Sequence, residues 1–379
     1  MNERSFARVA YVIFSIIWVI LGIIIMFFAP SALSPFDSFI DCSVSGNSSD
    51  SNTDVCFGIS TMYRISFLLA IFHVVMLFFG LCPDNEGTRT FHDGCWPFKF
   101  LLILVGFILT LFIPNSFFQG YGYFSQVVSI AYLLYQVLAL VSLAYLVNDR
   151  LVSNYEEGSS SWGILMIVLT AVIYAGSLVL TGYLFYWFHS CTTNIVLICV
   201  TLGVGIVCFI LVVVKTRPDS SIFTSSIVYL YTTYLVWSAM GSRPDYQCNN
   251  FIVSNTNTIC QIVFGLVFAV LALLVTSAIS KRESAQDGGL TERLADGIRE
   301  EDEPDDESAR KEDIQTAKNP DEVVAHKISK ATILFHVIMI IASVYYAMVM
   351  TNWGNPSVNN QTDDFFGVSW LSFWVKIGS

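Results

Sequence analysis

The chain has 379 residues, of which 54% are hydrophobic and only 13% are charged, and its formal net charge is −11. Soluble domains carry about 25% charged residues. The composition therefore excludes an ordinary soluble protein and indicates that lipid surrounds most of the chain.

Nine apolar segments have about the 20 residues that a spanning helix needs. Continuous apolar runs favour helices, because the strands of a membrane barrel would alternate polar and apolar residues over about 10 positions. We therefore predict an all-α polytopic membrane protein with about nine transmembrane helices. The predicted spans are 6–28, 61–81, 97–114, 124–148, 162–187, 192–214, 222–240, 259–279 and 331–352.

An acidic segment divides the chain. Residues 281–327 hold 15 of the 30 acidic residues and 8 of the 19 basic ones. Such a segment has too little apolar surface to offset its ordering entropy. We predict eight transmembrane helices over 1–280, a disordered loop over 281–327, and a ninth helix with an outer C-terminal segment over 328–379. The loop suits either a docking or trafficking segment or a plain solvated tether.

The distribution of basic residues predicts the orientation. With the N-terminus in the cytoplasm, eight Lys and Arg residues outside the acidic loop lie on the inner side and three on the outer side, as the positive-inside rule requires. The acidic loop is then cytosolic. Both permitted glycosylation sequons, at Asn47 and Asn360, fall outside. We expect the protein in the plasma membrane or in endomembranes.

Five cysteines lie in or beside the predicted outer loops, where disulfides can persist. Cys42 and Cys56 share one loop and form the favoured pair. Cys248 can pair with either Cys260 or Cys191, and the sequence leaves this choice open.

Nothing in the sequence indicates a metal site or a catalytic site. Cys82, Cys95 and His92 offer only three ligands, at a spacing that suits zinc poorly. The chain has no P-loop, no GxSxG, no HExxH and no cluster of carboxylates at a membrane face. We predict no metal, no cofactor and no enzymatic activity.

The predicted spans carry few polar side chains, and we expect no charged residue in the middle of one. His73 and His336 suit either a proton relay or neutral imidazoles bonded to a neighbouring helix. Gln136 could line a polar path or bond across helices. Asn194 is a further intramembrane polar candidate.

Residues 224–240, TSSIVYLYTTYLVWSAM, combine an apolar character with many hydroxyl groups. At about 100° per residue, five hydroxyl residues fall on one face of a helix. One interpretation is a packed helix whose Ser and Thr side chains bond to their own backbone. The other is a polar groove for a lipid head group. The five residues are Ser225, Ser226, Tyr229, Thr232 and Thr233.

Several motifs together resemble the serine incorporator (Serinc/TMS) family. They are YLYTTYLVWSAMGSRPDYQCN (229–249), FHVIMIIASVYYAMVMTNW (335–353), SWLSFWVKIGS (369–379) and HDGCWPFK (92–99). Each motif alone is modest, but their order and spacing match the family along nearly the whole chain.

The resemblance implies two helical subdomains crossed by a long diagonal helix, here 121–150, with a lipid-accessible cleft between them. It also implies about ten helices, with one before Phe6 and one after the last motif that this sequence does not display. Ser142 and Tyr145 replace the family's intramembrane Asp and His, which puts any role of that Asp in doubt.

We expect a lipid-handling protein, and energy-independent phospholipid scrambling is the leading hypothesis. The resemblance also implies a scaffold that delivers serine to the synthesis of phosphatidylserine and sphingolipids, and a small-molecule transporter is a third candidate. The expected partners are membrane phospholipids and serine-lipid synthases, without nucleic acid, while homo-oligomerisation stays open. The lipid-path candidates are the five hydroxyl residues with Gln136 and Asn194.

Overall fold

The computed structural model describes residues 3–28, 30–40, 50–81, 91–92, 94–158, 160–214, 221–243, 245, 247–249, 259–277, 320–351, 353 and 370–378. Every regular element within these residues is helical. The long helices are α1 (Glu3–Phe28), α2 (Asp50–Leu81), α3 (Trp96–Thr110), α4 (Asn115–Glu156), α5 (Ser160–Phe188), α6 (Thr192–Val213), α7 (Ile222–Gly241), α8 (Ile259–Ser277), α9 (Pro320–Met350) and α10 (Trp370–Gly378). A 3-10 helix (Pro30–Phe36) and a one-turn helix (Asp37–Ile40) follow α1.

Each of the nine predicted spans coincides with one of the helices α1 to α9. Seven of the described helices are long and apolar enough to cross a membrane. The other two are α3, which has 15 residues, and α7, whose hydroxyl groups lower its hydropathy although it has 20 residues. The prediction of an all-α polytopic membrane protein is thus confirmed, with seven rather than nine helices that qualify by length and composition.

Proline and glycine set the ends of the longest helix. Pro114 precedes α4 with an extended backbone (φ −63°, ψ 148°), and its missing N–H separates α4 from α3. After 42 residues α4 gives way to Gly158, whose φ of +105° suits a residue without a Cβ.

The helices pack in two groups. Helices α1, α2, α3 and α9 form one group, in which the contact between α2 and α9 is the most extensive. Helices α5, α6, α7 and α10 form the other. Helix α4 packs against α2 and α9 of the first group and against α5 and α7 of the second. This arrangement matches the expected pair of subdomains crossed by a long helix.

The structure revises the predicted end of the acidic loop. Helix α9 begins at Pro320, so residues 320–327 belong to a helix and not to the loop. Residues 281–319 lie outside the described residues, and the disorder and cytosolic position of that segment stay predictions.

One span carries a buried charge away from its middle, and the sequence did not predict that this charge is buried. Arg64 is completely buried, and it lies inside the apolar stretch Cys56–Leu81 of α2. It donates hydrogen bonds from Nε to the Thr110 carbonyl oxygen (3.1 Å) and from Nη2 to that of Ile113 (3.0 Å). The guanidinium thereby binds two backbone carbonyl oxygens at the end of α3, where the regular hydrogen bonds of a helix stop.

Candidate functional site

Three of the five predicted hydroxyl residues on α7 bond to their own helix. Ser226 Oγ donates to the Phe223 carbonyl oxygen (2.6 Å). Thr232 and Thr233 both donate to the Tyr229 carbonyl oxygen, at 3.0 and 2.8 Å. These side chains follow the packed-helix interpretation, because a hydroxyl that bonds its own backbone needs no partner in the membrane.

The other two hydroxyl residues reach across to α5. Ser225 Oγ lies 2.8 Å from the Tyr174 hydroxyl, and the Tyr229 hydroxyl lies 2.9 Å from Thr181 Oγ1. Ser225 and Tyr229 are one helical turn apart, so both pairs line the same seam between α5 and α7. A row of neutral hydroxyl pairs therefore runs along this seam.

A cleft of about 710 Å³ opens beside this seam. Its wall is apolar apart from a few hydroxyl and amide groups, and none of its lining residues carries a charge. At one end Ser221 Oγ donates to Asn148 Oδ1 (2.6 Å). The cleft is lined by Asn148 and Val152 of α4, by Met166, Ile167, Thr170, Ala171, Tyr174 and Leu178 of α5, by Leu202, Gly205, Ile206 and Phe209 of α6, and by Ser221, Ile222, Phe223 and Tyr229.

The cleft is open to its surroundings. Ile167 and Leu178 of α5 and Phe209 of α6 are exposed apolar residues of its wall. Both helices are long and apolar enough to span a membrane, so lipid would surround this rim. The cleft can take an apolar chain from the bilayer while hydroxyl groups lie close by.

Gln136 lies away from this cleft, inside the helix packing of α4. It is completely buried, and neither atom of its carboxamide makes a hydrogen bond within the described residues. Neither candidate role for Gln136, a path or an interhelical bond, is visible in this conformation.

Asn194 is also outside the cleft. It is buried near the start of α6, where Nδ2 donates to the Cys248 carbonyl oxygen and Oδ1 accepts from Arg243 Nη1, both at 2.8 Å. Asn194 thus ties α6 to the segment that follows α7, and its position gives it a structural role.

A disulfide links Cys191 to Cys248. It joins the start of α6 to the same segment after α7 and resolves the choice that the sequence left open. Cys260, the alternative partner of Cys248, is a free thiol in the structure and is therefore not a disulfide residue there. Cys56 is disulfide-bonded, while its predicted partner Cys42 lies outside the described residues. The predicted glycosylation sites, Asn47 and Asn360, lie outside them as well.

A buried lysine fastens the C-terminal helix α10 to α7. Lys376 Nζ donates to Ser242 Oγ (2.5 Å) and to the Ser238 carbonyl oxygen (3.3 Å). Burial lowers the pKa of Lys376 to about 7, because removal from water disfavours the charged form. The SWLSFWVKIGS motif thus supplies helix α10, which packs against the C-terminal end of α7 in the second helix group.

Sequence reasoning missed a polar cluster inside the first helix group. His336 lies between His92 and His73: its Nε2 is 2.9 Å from His92 Nε2, and its Nδ1 is 3.3 Å from His73 Nδ1. Lys99 Nζ donates to the Tyr11 hydroxyl (2.8 Å) beside them. His336 has a histidine within hydrogen-bond distance on each side, an arrangement that fits both of its proposed roles.

The residues of this cluster are far apart in the sequence. His92 and Lys99 belong to the HDGCWPFK motif, and His336 belongs to the FHVIM stretch more than 200 residues later. The packing of α9 against α2 brings His336 beside His73, and His92 reaches His336 from the segment between α2 and α3. The cluster lies in the first helix group, whereas the cleft lies between α4 and the second group.

The comparisons with known proteins agree with the motifs. The family model described as "Serine incorporator (Serinc)" matches residues 1–379. A probable serine incorporator of Dictyostelium discoideum is 28% identical over 96% of this chain and 84% of its own length. A membrane protein of Schizosaccharomyces pombe is 31% identical over 86% of this chain and 75% of its own length. Serine incorporator 3 of Bos taurus is 27% identical over 87% of this chain and 77% of its own length. The chain belongs to the serine incorporator family.

Proposed function

We propose that this protein moves phospholipids between the two leaflets without an energy source. The observation that carries the proposal is the uncharged cleft beside the α5–α7 seam, which is bordered by hydroxyl pairs and opens to the bilayer through exposed apolar residues.

The chemistry of the wall supports lipid passage better than tight binding. A phospholipid head group must leave water to cross a membrane, and burying its charges without partners is costly. Hydroxyl groups can donate or accept hydrogen bonds, so they lower this cost for many head groups. A fixed charge in the wall would hold a head group of opposite charge too tightly for onward movement.

The location also supports the proposal. The cleft lies where α4 ends and where α5 and α7 begin. In the predicted orientation this is the cytosolic side of the membrane. We therefore expect lipids of the inner leaflet to enter first.

The test is reconstitution into liposomes that contain fluorescent phosphatidylcholine or phosphatidylserine, with dithionite added outside. A scramblase lets dithionite quench well beyond the outer-leaflet fraction. Quenching that stops at the level of protein-free liposomes would refute the proposal.

A matched pair of variants ties the activity to the cleft. Ala171 lines the cleft and Val172, the next residue, faces outward at 62% exposure. Ala171→Trp should fill part of the cleft and slow scrambling several-fold, whereas Val172→Trp should scramble as the wild type does. Equal rates for the two variants would place the path elsewhere.

The packed hydroxyl residues provide a second control. Thr232 and Thr233 bond their own backbone, so a double Thr232→Val, Thr233→Val variant should scramble normally per folded molecule. A strong loss of activity in this variant would show that these hydroxyl groups do serve the lipid.

Delivery of serine to lipid-synthesising enzymes is the second candidate, and the name of the serine incorporator family and of two relatives favours it. Cells that express the protein should then incorporate labelled serine into phosphatidylserine and sphingolipids faster than control cells. Unchanged incorporation would exclude this candidate. Neither candidate requires the protein itself to catalyse a bond-forming step.

A further inference from the structure

We propose that Tyr229 is the gate of the cleft, so that lipid passes along the α5–α7 seam only when this side chain swings away. The proposal rests on the proposed lipid function of the cleft. It adds to that function the residue that limits the rate.

Tyr229 lies at the end of the cleft that is deeper in the membrane, away from Ser221 and Asn148. Its side chain is 4% exposed and forms part of the cleft wall. Its hydroxyl lies 2.9 Å from Thr181 Oγ1 on α5, and its ring lies against Gly205 on α6. One side chain on α7 thus contacts both neighbouring helices.

The part of the α5–α7 seam that follows Tyr229 towards the C-terminal end of α5 is closely packed. The wall of the cleft includes no residue of α5 beyond Leu178 and none of α7 beyond Tyr229. Further along α5, Leu184 and Phe188 are completely or almost completely buried. A lipid in the cleft therefore meets the Tyr229–Thr181 pair before it meets the closed part of the seam.

Glycine at position 205 is what lets the ring sit there. A Cβ added to Gly205 would lie 2.5 Å from Tyr229 Cδ2, a distance that real Cβ atoms do not adopt. The closed position of the ring therefore needs a residue without a side chain at this point of α6. Any larger residue at position 205 would displace the Tyr229 ring from this position.

The closed position is weakly held, as a gate requires. The hydroxyl makes one interhelical hydrogen bond, and such bonds in membranes contribute little on average. The cleft of about 710 Å³ gives the ring space to swing into. Movement of the ring away from Thr181 therefore needs neither a new cavity nor a break in the helix.

The test compares scrambling rates at equal amounts of folded protein. Tyr229→Phe and Thr181→Val each remove the hydrogen bond and should speed scrambling about threefold, the change that corresponds to an average interhelical bond of ~0.6 kcal/mol. The double variant should be no faster than either single one, because all three lack the same bond. Tyr229→Ala and Gly205→Ala should be faster still.

The control is Tyr231→Phe, which removes a buried hydroxyl group that makes no hydrogen bond within the described residues. It should leave the rate unchanged. A rate for Tyr229→Ala at or below that of the wild type would overturn the gate.

A second readout keeps the gate testable when no scrambling is found. A phospholipid with a photoreactive acyl chain should label the exposed face of α5 in both proteins. The buried residues of the seam, Thr181, Leu184 and Phe188, should be labelled in Tyr229→Ala and not in the wild type. Equal labelling of these three residues in both proteins would overturn the gate. A protein that never scrambles but gains labels at these residues in Tyr229→Ala refutes only the proposed function.

Discussion

Arg64 offers the sharpest test of how the first helix group is held together. We expect Arg64→Met to destabilise the protein by about 3 kcal/mol. The two hydrogen bonds from the guanidinium to the Thr110 and Ile113 carbonyl oxygens are charge-assisted, and each such bond contributes about 1.5–3 kcal/mol. Relief from burying the charge offsets part of that loss. The cation also lies over the Phe118 ring at 4.4 Å, and methionine keeps some of this packing.

The assay is thermal unfolding of the detergent-solubilised protein, followed by size-exclusion chromatography with fluorescence detection. A loss of this size should lower the midpoint by roughly 4 °C for a chain of this length. Arg150→Met is the matched control, because Arg150 is exposed on α4. If Arg64→Met unfolds at the same temperature as Arg150→Met, the buried guanidinium does not stabilise the end of α3 and our reasoning fails.

Three further predictions use the same unfolding assay. Gln136→Leu should raise stability by about 1–3 kcal/mol, because it removes buried polar groups without partners, and a loss would show that the carboxamide has partners. The free energy of unfolding of the wild type should rise between about pH 7 and 10, because in this range Lys376 holds its proton in the unfolded chain and not in the folded one. Lys376→Met should lack this pH dependence. An equal pH dependence of the two proteins would contradict the buried position of Lys376. A Cys191→Ser, Cys248→Ser variant should lose about 2–4 kcal/mol, and reducing agent should affect it less than the wild type.

The sequence predicted the helices because the signal for a spanning helix is local. About 20 apolar residues in a row leave the backbone no alternative to a helix in lipid. The long α4 and its break at Pro114 follow from equally local features. The prediction was equally good for α7, at 222–240 against Ile222–Gly241, although its Ser, Thr and Tyr residues lower the hydropathy.

The candidate site was predictable only in part. The helical projection places Ser225 and Tyr229 on one face, but it cannot tell that these two bond to α5 while Thr232 and Thr233 bond their own backbone. That difference depends on which residue of α5 lies opposite. The cleft also needs residues of α4 and α6, whose positions no local pattern fixes.

The burial of charged residues near the ends of spans was not predicted. Arg64 and Lys99 look like residues near the ends of helices, yet both are completely buried. Their partners are backbone carbonyl groups and aromatic rings, namely Phe118 for Arg64 and Tyr11 and Trp96 for Lys99. Such partners carry no charge and leave no complementary pattern in the sequence.

The length of α4 has a mechanical consequence. Its 42 residues extend about 63 Å at 1.5 Å per residue, whereas a bilayer with its head-group regions is about 40–45 Å thick. If both ends stay within those regions, the helix must lean by about 45°. A thinner membrane would then increase the lean and carry the two ends of α4, with the helix groups they contact, further apart in the membrane plane. The distance between the two helix groups in the membrane plane would thus increase as the bilayer becomes thinner.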